Sequence, residues 1–100
     1  MIKLWLDDIR PAPAGWTWVK TVNAAAQLLA VGHFDKSRAI VEASLDHDLG
    51  ENEPTGYDLV KWMAETGFWP ETKPRVHSAN PPGAENMRAT IDRYWRSDER

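Results

Sequence analysis

The apolar and polar positions of the chain fall into two kinds of segment, short apolar runs and longer stretches with a helical period. The apolar or β-rich runs predict four strands, at residues 2–6, 16–20, 39–45 and 75–77. Apolar positions three and four residues apart predict three helices, at residues 22–31, 56–66 and 84–95. From the second strand onwards a helix separates each strand from the next, which predicts a mostly parallel sheet with right-handed crossovers.

Local signals mark the ends of these helices. Thr21 or Asn23 is placed to cap the first helix, and Gly32 is its predicted stop. Residues 55–58, TGYD, have the spacing of a capping box, in which Asp58 replaces the usual Glu or Gln. The pattern as a whole predicts an α/β protein, a small three-layer sandwich of the flavodoxin type.

The composition limits the class of protein more than its function. One hundred residues with 42% hydrophobic and 27% charged side chains predict one globular domain, residues 1–100. The absence of cysteine excludes disulfides and thiolate metal sites. We see no signal peptide and no run near the roughly 20 apolar residues of a membrane span, so we expect a cytoplasmic protein without a membrane partner. The net charge of −3 argues against binding long duplex nucleic acid, but not against one nucleotide or one chain end.

Three of the predicted strands end in ionisable or polar residues. The first strand leads into Asp7 and Asp8, the third into residues 46–48, and the fourth into residues 77–80. A buried strand that ends in Asp-His-Asp is unfavourable unless each carboxylate is paired, solvated or bound to a cation. If the strands are parallel, their carboxyl ends share one edge of the sheet, which is where open α/β sheets bind ligands.

The acids at this edge predict a metal site. Carboxylates that gather at strand ends repel one another unless a cation lies among them. Mg²⁺ favours a few carboxylates together with water and phosphate oxygens, so Asp7, Asp8 and Asp46 are predicted to hold Mg²⁺ or Mn²⁺. The alternative is that these acids are turn residues that cap the loops after each strand.

Two histidines follow the same strand ends. His47 and His77 suit phosphodiester chemistry near neutral pH, because one imidazole can take a proton from water while the other protonates the leaving oxygen. The alternative for either residue is a structural histidine bonded to a backbone carbonyl. His33 lacks this setting and is interpreted as a surface residue.

Neighbouring residues suit binding of a phosphate or a base. Ser78 and Asn80 can hold phosphate oxygens or can simply bond within their own turn. Arg10 can clamp a phosphate, or it can form a salt bridge such as one to Asp8. Trp16 and Trp18 can stack on a base, although tryptophans at this spacing more often pack in a core.

Several segments together resemble a known family. The acid pair after the first strand, the acid after the middle strand and the hydroxyl residue after the next resemble the phosphoacceptor receiver domain of two-component signalling. The chain is more similar to a receiver-derived group, the cyclic-phosphate-processing receiver-like domains. The similar segments are LWLDDIR (residues 4–10), SLDHDLG (44–50), TGYD (55–58) and HSANP (77–81). The resemblance extends over nearly the whole chain.

This resemblance implies a fold and a substrate. It implies a trimmed receiver-like sheet with strand order 2-1-3-4, in which residues 11–15 replace the first receiver helix and the fifth strand is missing. It places Asp46 at the phosphoacceptor position and Ser78 at the receiver Ser/Thr position. It implies that the substrate is a cyclic phosphate, either on an RNA 3′ end, as in RNA repair, or in a free cyclic nucleotide.

The predicted function is metal-assisted opening of a cyclic phosphodiester. His47 and His77 exchange the base and acid roles, Asp46 and Asp48 complete the catalytic set, and Asp48 orients an imidazole. The terminal-strand lysine that holds an acyl phosphate in receivers is missing, and the two histidines have no receiver counterpart, so both departures favour hydrolysis over phosphorelay. Two alternatives stay open. One is a non-catalytic receiver-like module that binds a cation, a nucleotide or a protein, and the other is a metal-free phosphoesterase that uses only the histidines.

Overall fold

A computed structural model describes residues 1–95 of the chain. Its four strands are β1 (Ile2–Leu6), β2 (Thr17–Val19), β3 (Ile40–Leu45) and β4 (Arg75–Val76). Its α-helices are α1 (Val22–Phe34), α2 (Gly56–Thr66) and α3 (Pro81–Tyr94), and a short 3₁₀ turn covers Lys36–Arg38. Each predicted strand and helix is present. None of the helices in this part of the chain is long and apolar enough to cross a membrane.

The four strands form one parallel sheet in the order β2-β1-β3-β4. This order confirms the α/β, receiver-like architecture that the sequence predicts. β1 is central, and its register partners include Thr17 of β2 for Leu4 and Leu45 of β3 for Leu6. Within residues 1–95 a loop stands where a receiver has its first helix, and no strand follows β4.

The hydrophobic core lies between the helices and one face of the sheet. Leu4 and Leu6 of β1 and Ala43 and Leu45 of β3 alternate with more polar residues and are almost fully buried. All three helices add buried side chains to the same cluster, namely Ala25, Leu29, Leu59, Val60, Met63, Met87 and Ile91. The helices therefore form a single layer over this face. Burial of each large aliphatic side chain stabilises the fold by about 2 kcal/mol.

The opposite face of the sheet is covered differently. It carries Lys3 and Trp5 of β1, whose register partners are Glu42 and Ser44 of β3. Trp16, in the connection between β1 and β2, packs edge-on against Trp5 with the ring centroids 6.1 Å apart. The β1–β2 crossover runs across the sheet in the direction opposite to the later crossovers, so right-handedness places it on this face. The layer on this side is thus formed by the connection, and no helix within residues 1–95 covers it.

Two helix ends differ from the predictions for identifiable reasons. α1 continues through Gly32 and ends before Asp35, so the predicted stop at Gly32 is wrong. Gly32 is instead needed for close packing, because a Cβ there would lie 2.7 Å from the backbone oxygen of Arg38. α3 begins earlier than predicted, at Pro81, since proline fits the first helical positions, where no N–H partner is required.

The predicted caps are confirmed. Thr21 Oγ1 accepts a hydrogen bond from Ala24 N at 3.1 Å at the start of α1. At the start of α2, Asp58 Oδ2 accepts from Thr55 N at 2.8 Å and Thr55 Oγ1 accepts from Asp58 N at 3.3 Å. The bond from Thr55 N lowers the pKa of Asp58 below its usual value. This capping box fixes where α2 begins after the loop that follows β3.

Candidate functional site

Three parallel strands end at the same level of the sheet. Leu6, Leu45 and Val76 are register partners at the ends of β1, β3 and β4. The residue after each strand continues the ladder, through hydrogen bonds from Asp46 N to Leu6 O at 2.9 Å and from His77 N to Leu45 O at 3.0 Å. The predicted acids and histidine therefore meet at one edge. This edge is the candidate functional site.

Asp7 is buried at this edge and holds four hydrogen bonds. Its side chain is 1% exposed. Oδ1 accepts from the backbone N–H groups of Ile9 and Arg10 at 2.9 and 2.8 Å. Oδ2 accepts from Arg10 Nε at 2.9 Å and lies 3.1 Å from His77 Nε2. Burial raises the pKa of Asp7, but these bonds and the charge of Arg10 outweigh it and hold the pKa below its usual value. Asp7 is therefore an ionised acceptor.

Arg10 places a positive charge among the acids. Its Nη2 donates to the backbone oxygen of His77 at 2.8 Å and lies 3.5 Å from Asp46 Oδ1. Its own backbone oxygen accepts from Trp5 Nε1 at 2.9 Å. Arg10 thus pairs with Asp7 and not with Asp8, the partner considered from the sequence. The Arg10 side chain is 49% exposed, so it also reaches solvent.

His77 is fixed by three neighbours. Its Nδ1 lies 2.7 Å from Ser44 Oγ and its Nε2 lies 3.1 Å from Asp7 Oδ2. Its ring stacks on Trp5 with centroids 3.9 Å apart and planes 7° from parallel. Burial lowers the pKa of His77 more than the bond to Asp7 and the charge of Asp7 raise it, so the ring is neutral at pH 7. Because the ionised carboxylate can only accept, Nε2 carries the proton and Nδ1 accepts from the Ser44 hydroxyl.

His47 has a different environment. Its Nδ1 lies 2.7 Å from Asp48 Oδ1, and within residues 1–95 its Nε2 has no hydrogen-bond partner. The bond from His47, assisted by one from Asn80, lowers the pKa of Asp48 below its usual value. The ionised carboxylate of Asp48 can only accept, so the proton of this bond is on Nδ1, and in the neutral form of the ring the lone pair lies on Nε2. Asn80 Nδ2 is 3.4 Å from Nδ1, but two donors cannot bond, so the amide donates to Asp48 at 3.3 Å instead.

Two glycines allow the chain to pack closely around His47. A Cβ on Gly83, in the first turn of α3, would lie 2.5 Å from Cγ and Cδ2 of the His47 ring. Gly56 N, at the start of α2, donates to His47 O at 2.8 Å, and a Cβ on Gly56 would overlap the backbone oxygen of Asp46. α2 and α3 therefore hold the segment after β3 from both sides.

Ser78 and Asn80 have local partners in the turn after β4. Ser78 Oγ accepts from Asn80 N at 3.0 Å. Asn80 caps α3 through Oδ1, which accepts from Gly83 N at 3.1 Å, and its amide bonds Asp48 as described. The local turn bonding that the sequence left open is present for both residues. Their predicted contact with phosphate oxygens stays a prediction.

The acidic cluster consists of Asp7, Asp8 and Asp46. One carboxylate oxygen of each lies within 4.8 Å of the other two. Within residues 1–95, Asp8 and the Oδ2 atom of Asp46 make no hydrogen bond, whereas both oxygens of Asp7 are occupied. Free carboxylate oxygens at this spacing fit a hard divalent cation. Asp8 and Asp46 fit such an ion as they stand, and Asp7 fits it if Arg10 moves.

These acids border an open cleft of about 420 Å³, which falls within the usual range for small-molecule sites. The lining residues are Asp7, Asp8, Ile9, Arg10, Asp46, Asp48 and Ala79. The floor is acidic, and the exposed side chains of Ile9 and Ala79 are its apolar parts. The cleft can therefore receive a ligand with both a charged and an apolar part.

Three contacts at this edge were not predicted from the sequence. Ser44 bonds His77, Trp5 stacks on it, and Trp18 Nε1 donates to the backbone oxygen of Asp7 at 2.6 Å. Trp16 and Trp18 do not join the hydrophobic core, so the core interpretation favoured from the sequence is wrong for both. The sequence does mark Ser44 as a candidate, because it is a polar residue in an otherwise apolar strand. That strand, β3, pairs with the central strand β1.

The fold and the site together define a class of protein. A parallel sheet in the order β2-β1-β3-β4, with acids after β1 and β3 and a hydroxyl residue after β4, is the arrangement of a receiver domain that, within residues 1–95, lacks the first helix and the fifth strand. The family model of the cyclic-phosphate processing receiver domain matches residues 2–93. The chain belongs to this family. Neither the curated proteins nor the solved structures gave a match.

Proposed function

We propose that the protein hydrolyses cyclic phosphodiesters at the carboxyl edge of its sheet. The proposal is carried by the His47–Asp48 pair, in which the carboxylate holds the Nδ1 proton and leaves Nε2 as the base, while Asp48 itself lines the acidic cleft. The family's description, cyclic-phosphate processing, supports the choice of substrate.

His47 supplies the proton transfer in this proposal. Its Nε2 takes a proton from a water molecule whose oxygen attacks the phosphorus. A bond forms between the water oxygen and phosphorus while the bond from phosphorus to one ribose oxygen breaks, and the ring opens to a phosphomonoester. The ribose oxygen then takes the proton from the His47 imidazolium. One proton enters and leaves His47 in each turnover, so the atoms and charges balance.

The reaction also requires groups that stabilise the negative charge of the phosphate. Arg10 reaches solvent and lines the cleft, and it is proposed to contact the phosphate oxygens together with Ser78 and Asn80, which flank the lining residue Ala79. Asp8 and Asp46, with Asp7 behind them, would hold Mg²⁺ or Mn²⁺. When bound, such an ion neutralises phosphate charge.

The proposed role of His77 differs from that of His47. It is neutral and both of its nitrogens are bonded, to Ser44 and Asp7, so in the resting site it positions Asp7. To act as the acid that the sequence predicts, it must first gain a proton on Nδ1, after which Ser44 Oγ accepts from Nδ1 where it donated before. Exchange of acid and base roles between the two histidines stays a prediction, and a His77→Gln variant tests it.

The test is a panel of substrates with a matched histidine control. Purified wild type, His47→Gln and His33→Gln are incubated with 2′,3′-cyclic nucleotides, 3′,5′-cyclic nucleotides and RNA ending in a 2′,3′-cyclic phosphate, each with Mg²⁺, Mn²⁺ or EDTA. We expect the wild type and His33→Gln to open at least one cyclic phosphate and His47→Gln to be slower by at least about 100-fold. Loss of activity in EDTA supports the metal, and retained activity supports a metal-free phosphoesterase. No opening by the wild type under any condition contradicts the proposal.

One observation favours a second candidate, a non-catalytic receiver-like switch. Asp46 directly follows β3, at the position where a receiver accepts a phosphoryl group. Its Oδ2 has no hydrogen bond within residues 1–95. Under this proposal Asp46 takes a phosphoryl group from a small acyl phosphate. Mass spectrometry after treatment with acetyl phosphate tests it: an added phosphoryl group that is lost in Asp46→Asn supports a switch, and an unmodified wild type contradicts it.

A further inference from the structure

We infer that the sheet face opposite the helices binds single-stranded RNA, namely the nucleotides that precede the cyclic phosphate. The surface, which we call the tryptophan strip, consists of Trp16, Trp18, Lys3 and Lys20. The inference rests on the proposed function and deepens it, because it selects an RNA 3′ end over a free cyclic nucleotide as the substrate.

The tryptophans of the strip are not used by the hydrophobic core. Trp62, Trp69 and Trp95 pack against the core cluster, whereas Trp16 and Trp18 do not. Trp18 is 38% exposed, so part of its ring surface is open to solvent. No helix within residues 1–95 covers this face, since α1, α2 and α3 all contribute to the cluster on the other side. Trp18 is therefore available to a ligand, and the half-buried Trp16 is partly accessible.

The strip adjoins the candidate site directly. Trp18 Nε1 donates to the backbone oxygen of Asp7 at 2.6 Å, so its ring is anchored at the edge where the cleft begins. Trp16 contacts Trp5, and Trp5 in turn stacks on His77. A chain bound on the strip would therefore end beside the cleft, which Asp7 lines.

Positive charges accompany the rings. Lys20 Nζ lies 4.5 Å from the centroid of the Trp18 ring, and Lys20 has no ion pair within residues 1–95. Lys3 Nζ lies 5.9 Å from the centroid of Trp16, and it shares Glu42 with Arg75. The strip is thus cationic although the chain has a net charge of −3. This concentration of positive charge is suited to phosphates of a nucleic-acid backbone.

Aromatic rings with interspersed cations are the features that bind unpaired nucleotides. Bases stack on tryptophan faces while the ammonium groups follow the phosphates. A duplex hides its base faces, so it cannot use the rings in this way. A free cyclic mononucleotide fills the cleft but leaves the strip empty. The strip therefore predicts that affinity rises with the number of unpaired nucleotides.

The experiment measures binding of RNA that cannot be cleaved. Fluorescence anisotropy follows labelled RNA of one, two, four and eight nucleotides with a 3′-phosphate, on wild type, Lys20→Ala, Trp18→Ala, Trp18→Phe and Lys61→Ala. Lys61 is the matched control, because its Nζ lies 4.7 Å over the Tyr57 ring in α2, away from the strip. Trp18→Phe keeps an aromatic face but loses the N–H bond to Asp7.

We expect the wild type to bind the tetranucleotide about 10-fold more tightly than the mononucleotide, and Trp18→Ala to lose about that factor. Lys20→Ala should weaken binding by about threefold and reduce its salt dependence, while Lys61→Ala stays unchanged and Trp18→Phe retains most of the affinity. Equal affinity for all lengths, equal loss in Trp18→Phe and Trp18→Ala, or equal binding of a duplex overturns the inference.

The same samples separate this inference from the proposed function. RNA binding that depends on length and on Trp18, without opening of a cyclic phosphate, supports the strip and contradicts the hydrolase. Opening of cyclic mononucleotides and RNA ends at equal rates, with no effect of Trp18→Ala or Lys20→Ala, supports the hydrolase and contradicts the strip.

Discussion

The imidazole ring of His47 lies directly against Gly83 in the first turn of α3, where a Cβ would be 2.5 Å from ring atoms Cγ and Cδ2. Contacts this short do not occur between real side chains, so only glycine allows the ring to stay where it bonds Asp48. The position of the base in the proposed reaction therefore depends on a helix that follows it by more than thirty residues.

A Gly83→Ala substitution should displace His47 while leaving the fold intact. Alanine favours the helix by up to about 1 kcal/mol, so the thermal midpoint should change little. The methyl group should push the ring away from Asp48 and reduce kcat by about 10-fold or more. Circular dichroism and kinetics on the same sample check both expectations. Full activity in Gly83→Ala would show that the ring position is not important.

Asp48→Asn should also impair His47, but through a changed hydrogen bond and not through a steric clash. An amide can donate or accept, so it no longer fixes the Nδ1 proton, and we expect kcat to fall by about 10-fold with little change in KM. Asp35→Asn is the matched control, since hydrogen bonds from Ser37 lower the pKa of that exposed carboxyl but it lies far along the chain from the site. Equal rates in Asp48→Asn and wild type contradict the orienting role.

The buried imidazole of His77 should make stability depend on pH. Burial lowers its pKa in the folded protein below the ordinary value of 6.5, so the unfolded chain binds the proton more readily. This contribution to stability is complete above pH 6.5 and declines as the pH falls towards the folded pKa. Urea midpoints between about pH 7.5 and pH 5 should fall on acidification, and less steeply in His77→Gln. His33→Gln serves as control. Equal slopes in His77→Gln and wild type would argue against this origin.

Removal of Arg10 should destabilise the fold more than removal of a surface arginine. Arg10→Gln leaves the carboxylate of Asp7, whose side chain is 1% exposed, without its charged donor, at a cost of about 2 kcal/mol. Arg75→Gln removes an exposed pair with Glu42 and should cost less than about 1 kcal/mol. Chemical denaturation of both variants measures the difference. A larger loss of unfolding free energy in Arg75→Gln than in Arg10→Gln would contradict the stabilising role of the Arg10–Asp7 pair.

The sequence predicts the elements and the meeting of the site residues well, because both follow from local patterns and parallel topology. Asp7, Asp46 and His77 each come directly after a strand, so a parallel sheet is enough to bring them together. Hydrogen bonds that depend on register were not predictable in the same way. The bond between Ser44 and His77 depends on the register of β3 against β4, which the expected strand order does not specify.

Packing across the chain accounts for the remaining differences. Gly32 carries the usual signal of a helix end, but its role is contact with the backbone of Arg38, which no local pattern reveals. Trp16 and Trp18 carry the usual signal of a core, but the core lies on the other face of the sheet because all three helices pack there. A sequence pattern shows that a residue is apolar, whereas the chain topology determines which face of the sheet the helices cover and so where the core forms.

A ³¹P NMR time course tests the role of His47 as the base, with RNA ending in a 2′,3′-cyclic phosphate and equal concentrations of wild type, His47→Gln and His33→Gln. We expect the cyclic phosphate signal to be replaced by a phosphomonoester signal with wild type and His33→Gln, and to persist with His47→Gln. A monoester that forms at the same rate with His47→Gln as with wild type would contradict the assignment of His47 as the base.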